Sequence, residues 1–333
     1  MKNDYLWDGS GTPDPEVERL ERLLATLRHK RPAPELILGE ARSGSLRHWK
    51  LIAASIVLGL ASLWLALVNP RPAWDVVRLN GAPQVGPGRL SGKGRLSVGE
   101  ALETDASSRA KIRVGRIGEV QVEPNSRIRL VKAGVTEHRL ALDRGKIHAL
   151  ISAPPRFFYV DTPSAVAVDL GCAYTLEVDD EGVALLRVSY GWVGFEFAGL
   201  ESFVPAEAAC VTRPGKGPGT PYFEDASARL REALDVFDFR SVTTPQRASA
   251  LATVLAEARR RDALTVWHLL SRAPDAERGQ VFDRMAALVP PPAAVTREGI
   301  LRRDQQMLDL WWNQLDVGST ILWRFWKGVW PLK

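Results

Sequence analysis

Lys111-Ile112-Arg113-Val114, Glu119-Val120-Gln121-Val122 and Arg127-Ile128-Arg129-Leu130 place polar and apolar residues in strict alternation. A period of two sends successive side chains to opposite faces of an extended chain, so each segment reads as a strand with one buried and one wet face. The same pattern returns in Val166-Ala167-Val168-Asp169-Leu170, Tyr174-Thr175-Leu176-Glu177-Val178 and Val193-Gly194-Phe195-Glu196-Phe197. Turn-forming residues separate the segments: Pro124-Asn125-Ser126, Asp179-Asp180-Glu181-Gly182 and Gly191. About ten short strands at this spacing predict an all-β domain over 76–213, built as a sandwich or as a stacked β-solenoid. Two matching glycine turns, Arg144-Gly145-Lys146-Ile147 and Tyr190-Gly191-Trp192-Val193, lean toward the repeated coil.

Upstream of the strands, Leu51 to Val68 carries no charge. Eighteen helical residues rise about 27 Å, close to the thickness of a hydrocarbon core. With Trp49 and Lys50 before it and Asn69-Pro70-Arg71 after it, 49–69 reads as one transmembrane helix in a lipid bilayer. A cleavable signal peptide fits less well, because about fifty residues precede the stretch and Asn69-Pro70-Arg71-Pro72 is a poor cleavage site. Arg28, Lys30, Arg31, Arg42, Arg47 and Lys50 precede the stretch, against Arg71, Arg78 and Arg89 in a similar length after it. This bias predicts a cytoplasmic N-terminus and periplasmic C-terminal domains of a bacterial inner-membrane protein.

Residues 1–48 then form a short cytoplasmic tail. Asp14-Pro15-Glu16 reads as an N-cap, a first-turn proline and an early acid. Val17, Leu20, Leu23, Leu24 and Leu27 follow at helical spacing, giving one apolar face. A lone helix of this length is marginal in water, so its stripe closes on Tyr5-Leu6-Trp7 or meets a partner. Val17, Leu20, Leu24 and Leu27 are the expected partner-binding residues.

Downstream of the strands, Pro214-Gly215-Lys216-Gly217-Pro218-Gly219-Thr220-Pro221 reads as a flexible linker within 214–222. From 223 to 333 the period becomes 3.6: Leu230, Leu234 and Phe237; Leu251, Val254, Leu255 and Ala258; Leu264, Trp267 and Leu270; Val281, Met285 and Leu288; Leu308, Trp311, Trp312 and Leu315. Five short helices with caps at Asp262, Asp275 and Thr296, broken at Pro274 and Pro290-Pro291-Pro292, predict an all-α helical-hairpin domain. The aromatic and basic end, Trp323 to Lys333, either caps these helices or lies on a membrane surface. The expected fold class is therefore mixed and multi-domain: tail helix, membrane helix, β domain and α domain.

Three strings within 96–213 resemble the FecR domain. They are Leu142-Asp143-Arg144-Gly145-Lys146-Ile147; Phe158-Tyr159-Val160-Asp161-Thr162-Pro163-Ser164-Ala165; and Val168-Asp169-Leu170-Gly171-Cys172-Ala173-Tyr174-Thr175-Leu176-Glu177-Val178. Gly145, Thr162, Pro163 and Gly171 stand at the family's motif positions, and Gly191 repeats the glycine turn. The resemblance implies a β-rich extracytoplasmic sensor on one membrane helix that relays a signal to a cytoplasmic sigma factor, in the manner of an anti-sigma factor regulating transcription. This chain departs from the family pattern in having Cys172 where threonine is usual, no usual helical domain in 1–50, and a long helical extension.

Composition leaves few other function classes open. The 333 residues are 45% hydrophobic and 25% charged, and 44 Lys and Arg against 39 Asp and Glu give a small excess spread along the chain, so direct nucleic-acid binding is not expected. The five histidines fall in no metal-ligand spacing, and no nucleophile elbow or phosphate loop is present, so no enzyme, cofactor or metal is expected. Cys172 and Cys210 are the only cysteines; they are read as a disulfide, as two buried thiols or, least, as a nucleophile at Cys172. Against the regulatory reading stands an anchored envelope-binding module whose outer domains recognise a glycan or an envelope protein.

Overall fold

The computed structural model describes residues 14–27, 55, 56, 59 and 72–317. The chain divides into two compact units, Met1–Asn69 and Pro70–Lys333. In the first, helix α1 spans Pro15–Leu24, with Asp14 as N-cap accepting from the Glu16 N–H at 2.9 Å and proline in the first turn. A 3-10 turn, Ala25–Leu27, follows.

The second unit begins with strands β1 (Ala73–Asn80), β2 (Gln84–Val85), β3 (Gly88–Arg89), β4 (Lys93–Ser97), β5 (Ala101–Glu103), β6 (Arg109–Val114), β7 (Gly118–Val122), β8 (Arg127–Ala133) and β9 (His138–Ile151). It continues through β10 (Phe158–Asp161), β11 (Val166–Asp169), β12 (Ala173–Val178), β13 (Ala184–Tyr190), β14 (Trp192–Phe197), β15 (Leu200–Pro205), β16 (Ala208–Arg213), β17 (Gly217–Pro218) and β18 (Tyr222–Phe223). Among the described residues six helices follow the strands: α2 (Ala228–Phe239), α3 (Thr244–Glu257), α4 (Ala263–Arg272), α5 (Asp275–Leu288), α6 (Arg297–Leu301) and α7 (Gln305–Trp312).

Two ladders share the long strand β9. One runs β4-β1-β6-β7-β9-β12-β13-β16 and the other β3-β2-β5-β8-β9-β10-β11-β14-β15. All pairs are antiparallel except β9 with β10. The first half of β9 pairs in the second ladder and the half after Arg144 pairs in the first, so one strand turns the corner between them. Buried residues alternate along β6 and β12, and Trp74 of β1 meets Phe158 of β10 at 6.5 Å between ring centroids, so the ladders close on a common core. Of the two β architectures expected, this is the sandwich; the two glycine turns do not open the coils of a solenoid.

The expected fold class needs correction in two further respects. Among the described residues no helix is long and apolar enough to cross a membrane. The stretch 49–69, where the membrane helix was expected, lies outside the described residues apart from Ser55, Ile56 and Gly59. Nor are strands and helices separate domains, since they contribute to one hydrophobic core. The string Pro214–Pro221 is not a free linker. Gly217 and Pro218 pair with Arg213 and Thr212, and residues 217–221 are buried. Side chains from both layers saturate its backbone: the Gly219 carbonyl accepts from Ser202 Oγ, the Pro221 carbonyl from Thr265 Oγ1 and the Pro218 carbonyl from Arg272. A glycine-proline string looks mobile because it lacks side-chain anchors, but buried backbone groups must be paired wherever they lie.

The helices follow the sequence pattern. All stripe residues from Leu230 to Trp312 are buried except Leu288, and Leu315 beyond them is half-buried. Thr243 and Gln246 form a capping box at the start of α3, and Thr296, an expected cap, accepts from the Gly299 N–H at the start of α6. Arg278 is only 2% exposed and ties the array, donating to the carbonyls of Leu270, Ala273 and Leu301, each at a helix end or just beyond one. The segment from Trp323 to Lys333 lies outside the described residues.

Candidate functional site

The expected partner-binding residues Val17, Leu20 and Leu24 sit on α1, and Leu27 lies in the 3-10 turn after it. No residue of α1 is buried; Leu20 is 57%, Leu23 64% and Leu24 57% exposed. Each leucine or valine that leaves water contributes about 1.5–3 kcal/mol, so a helix that presents this many to solvent carries a driving force for association that it has not used.

The motif residues Gly145, Thr162, Pro163, Gly171 and Gly191 do not converge on one cleft; each makes a turn or a crossing. Gly145 marks the bend of β9 with φ 91°, where a Cβ would stand 2.4 Å from Ser126 Cα. Thr162 Oγ1 donates to the Ala165 carbonyl and accepts from the Ala165 N–H, closing the β10–β11 turn, and Pro163 packs on Gly182. Gly171 (φ 86°) and Gly191 (φ 73°) bring two turns together: a Cβ on Gly191 would lie 2.4 Å from the Gly171 carbonyl oxygen. Only glycine fits such approaches in the left-handed region.

Behind Gly171 lies a buried polar corner. Asp169 Oδ1 accepts from the Gly171 N–H at 2.7 Å and Oδ2 accepts from Cys172 Sγ at 2.8 Å. Burial raises the Asp169 carboxyl to about 7, outweighing the hydrogen bonds that favour its anion. Burial likewise pushes the Cys172 thiol well up, with the neighbouring Asp169 charge adding to it. The Tyr174 phenol is raised by burial too, and its Oη is buried without a hydrogen-bond partner. Cys210 is a second buried free thiol, donating to the Gly219 carbonyl at 3.3 Å and pushed up to about 12 by burial. Of the readings offered for Cys172 and Cys210, the structure has the two separate buried thiols and not the disulfide. Thiols held protonated in apolar surroundings are poor nucleophiles.

A second polar cluster, not foreseen from the sequence, lies where α4 crosses the edge strand β15. His268 Nδ1 donates to the Leu264 carbonyl at 2.9 Å, which leaves Nε2 to accept from the Phe203 N–H at 3.2 Å. Arg272 Nη2 donates to the Glu201 carbonyl and to Ser202 Oγ. Two side chains one helical turn apart thus bond the outward backbone groups of an edge strand, which would otherwise invite another strand. Burial lowers the imidazole to about 3, with Arg272 next in effect, so His268 is a neutral acceptor. Trp312 seals the seam, its ring lying 4.6 Å from Trp267, 5.8 Å from Phe203 and 6.0 Å from Trp192. The spacing of His268 and Arg272 was legible in the sequence, but which strand they would meet was not.

Residues 100–193 match the sequence model of the family described as FecR protein. The matched stretch runs from just before β5 into β14 and contains all five motif residues and Cys172, so the resemblance read from the three strings holds. A comparison with curated proteins finds no match. Among solved structures the chain is similar to two crystal structures of a candidate anti-sigma factor from Parabacteroides distasonis ATCC 8503. Both are 13% identical with a TM-score of 0.34; one match covers 47% of this chain and 74% of that one, the other 46% and 73%.

Proposed function

We propose that this chain is a FecR-type regulator that passes a signal received by the strand body to a cytoplasmic protein held on the α1 stripe, with a sigma factor as that protein. The observation that carries the reading is the occurrence, in one chain, of a FecR-matching β body and a capped amphipathic helix on which Leu20, Leu23 and Leu24 are exposed and Val17 is half-buried. Amphipathic helices of this kind bind by laying the apolar face into a groove, with anchors at i, i+3 and i+7; Val17, Leu20 and Leu24 have that spacing. Photo-crosslinking from positions 17, 20 and 24 in living cells tests it. Capture of a sigma factor from position 20 or 24, lost when the photoreactive residue is moved to the opposite face at Arg19, supports the reading; crosslinks to this chain alone would overturn it.

A further inference from the structure

The seam between the edge strand and the helices is hollow. A cavity of about 750 Å3 runs beside β15 and the turn before β17, walled by α2, α3, α4 and the α6–α7 turn. That volume is within the range of small-ligand sites, about 300–1,000 Å3. Its charged lining is Lys216, Arg247, Arg272 and Arg303 against Glu201 and Asp238. Asp238 is already engaged by the Thr220 N–H at 2.6 Å and Thr220 Oγ1 at 3.0 Å, with Arg272 3.9 Å away. Lys216 forms no ion pair among the described residues, and Arg247 stacks on the Phe237 ring at 4.7 Å without reaching a carboxylate at ion-pair distance. The aromatic residues Phe239 and Trp267 complete the wall.

Arg303 adds an independent observation. The Arg303 N–H donates to the Ile300 carbonyl and the Asp304 N–H to the Gly299 carbonyl. This is the paired bonding of a Schellman turn, whose left-handed position normally takes glycine. Here an arginine holds it at φ 59° and sends its guanidinium to Asp275 and the cavity wall. Glycine would end the helix as well, so what the arginine adds at this strained position is its pair with Asp275 and a cation on the cavity wall.

From these we infer that the seam cavity binds a small anionic ligand, a sugar-sized body bearing a carboxylate or a phosphate ester, with Lys216, Arg247 and Arg303 meeting the anion and the half-buried Phe239 ring offering an apolar contact. Arg272, locked by the strand edge, positions the wall. The inference stands apart from the helix-docking reading, since it concerns only residues 199–305.

Isothermal titration calorimetry of the full chain with sodium glucuronate, glucose 6-phosphate and uncharged glucose tests it. Saturable binding of an anionic probe, weakening as salt rises, is expected. Binding of glucuronate alone assigns a carboxylate ligand and of glucose 6-phosphate alone a phosphate ester. Loss of the charge-assisted contacts in Lys216→Glu/Arg247→Glu weakens binding at least about tenfold. Arg303→Gly guards against misfolding as the cause: glycine suits that backbone, so the variant keeps its thermal stability while binding more weakly. No saturable binding of either anion below about 10 mM, a weak-ligand limit, equal binding of glucose, or unchanged affinity in both variants would overturn the inference.

Discussion

The corner behind Gly171 and the seam beneath α4 solve one problem with opposite chemistry. Each sinks an ionisable side chain into the core next to a backbone N–H that needs an acceptor: Asp169 takes the Gly171 N–H and His268 the Phe203 N–H. Burial disfavours the charged form of both, but for the acid this means a carboxyl raised to about 7 and for the base an imidazole lowered to about 3. The corner therefore works as an acid-stable element and the seam as an acid-labile one within a single core. The corner lies inside the family-matched stretch and is fixed by short-range turns, whereas the seam joins residues 65 positions apart and exists only because the helical extension lies against the strands.

The largest test of that contrast is to open the seam. Trp312→Ala removes a fully buried ring that touches Trp192, Phe203 and Trp267 and should cost about 3–5 kcal/mol in urea unfolding. Because strands and helices share one core, far-ultraviolet and near-ultraviolet signals should fall together at a lower midpoint. Separate strand and helix transitions would mean that the seam is an interface between independent domains.

Next in size is a pair of glycines. Gly191→Ala meets both a left-handed backbone and the Gly171 carbonyl, and should lose at least about 3 kcal/mol. Gly199→Ala has φ 82° but nothing within 4 Å of its Cβ, so only the conformational cost of about 1–2 kcal/mol applies. Equal losses in chemical denaturation would show that the close approach of the two motif turns contributes nothing.

These sites also separate what was legible in the sequence from what was not. Period-two and period-3.6 patterns located the strands and helices because burial acts on every second or every third to fourth side chain. Gly145, Gly171 and Gly191 stood out because left-handed turns restrict residue choice, and Thr162 and Pro163 through the resemblance to the FecR strings. The span of 214–221 was misread, since its hydrogen bonds come from Ser202, Thr265 and Arg272, far away in sequence. The strand that His268 and Arg272 meet was invisible for the same reason. A disulfide was suggested by the count of two cysteines, but pairing depends on which strand faces each thiol reach, and Cys172 and Cys210 each found another acceptor.

A pH titration then sharpens the comparison. Between the ordinary aspartate value near 3.8 and about 7, the folded chain holds a proton on Asp169 that the unfolded chain has lost, so this group makes stability fall as pH rises. Between about 3 and 6.5, the unfolded chain holds a proton on His268 that the folded chain excludes, so that group makes stability fall as pH drops. The two slopes, each up to about 1.4 kcal/mol per pH unit, oppose one another from about 4 to 6.5. Asp169→Asn should leave the histidine slope uncovered, giving a variant that loses stability on acidification faster than the parent over that window. Parallel profiles for parent and variant would remove Asp169 from this role.

The smallest effect on stability belongs to the stripe on α1. Leu20→Asp and Leu24→Asp replace side chains that are each 57% exposed and bury nothing, so the midpoint of the folded body should move by less than about 0.5 kcal/mol. A charge inside a helix-in-groove contact, in contrast, must be desolvated without a partner, and hot-spot losses of about 2 kcal/mol or more follow. The pair of measurements therefore separates two kinds of apolar residue: Trp312, whose truncation destabilises the chain, and Leu20 or Leu24, whose replacement leaves the fold intact and abolishes sigma-factor capture in the crosslinking experiment. If the leucine variants retained full capture, the helix would be bound through its charged face, where Glu18 and Arg22 already pair with each other at 3.6 Å, and the apolar stripe would need another explanation.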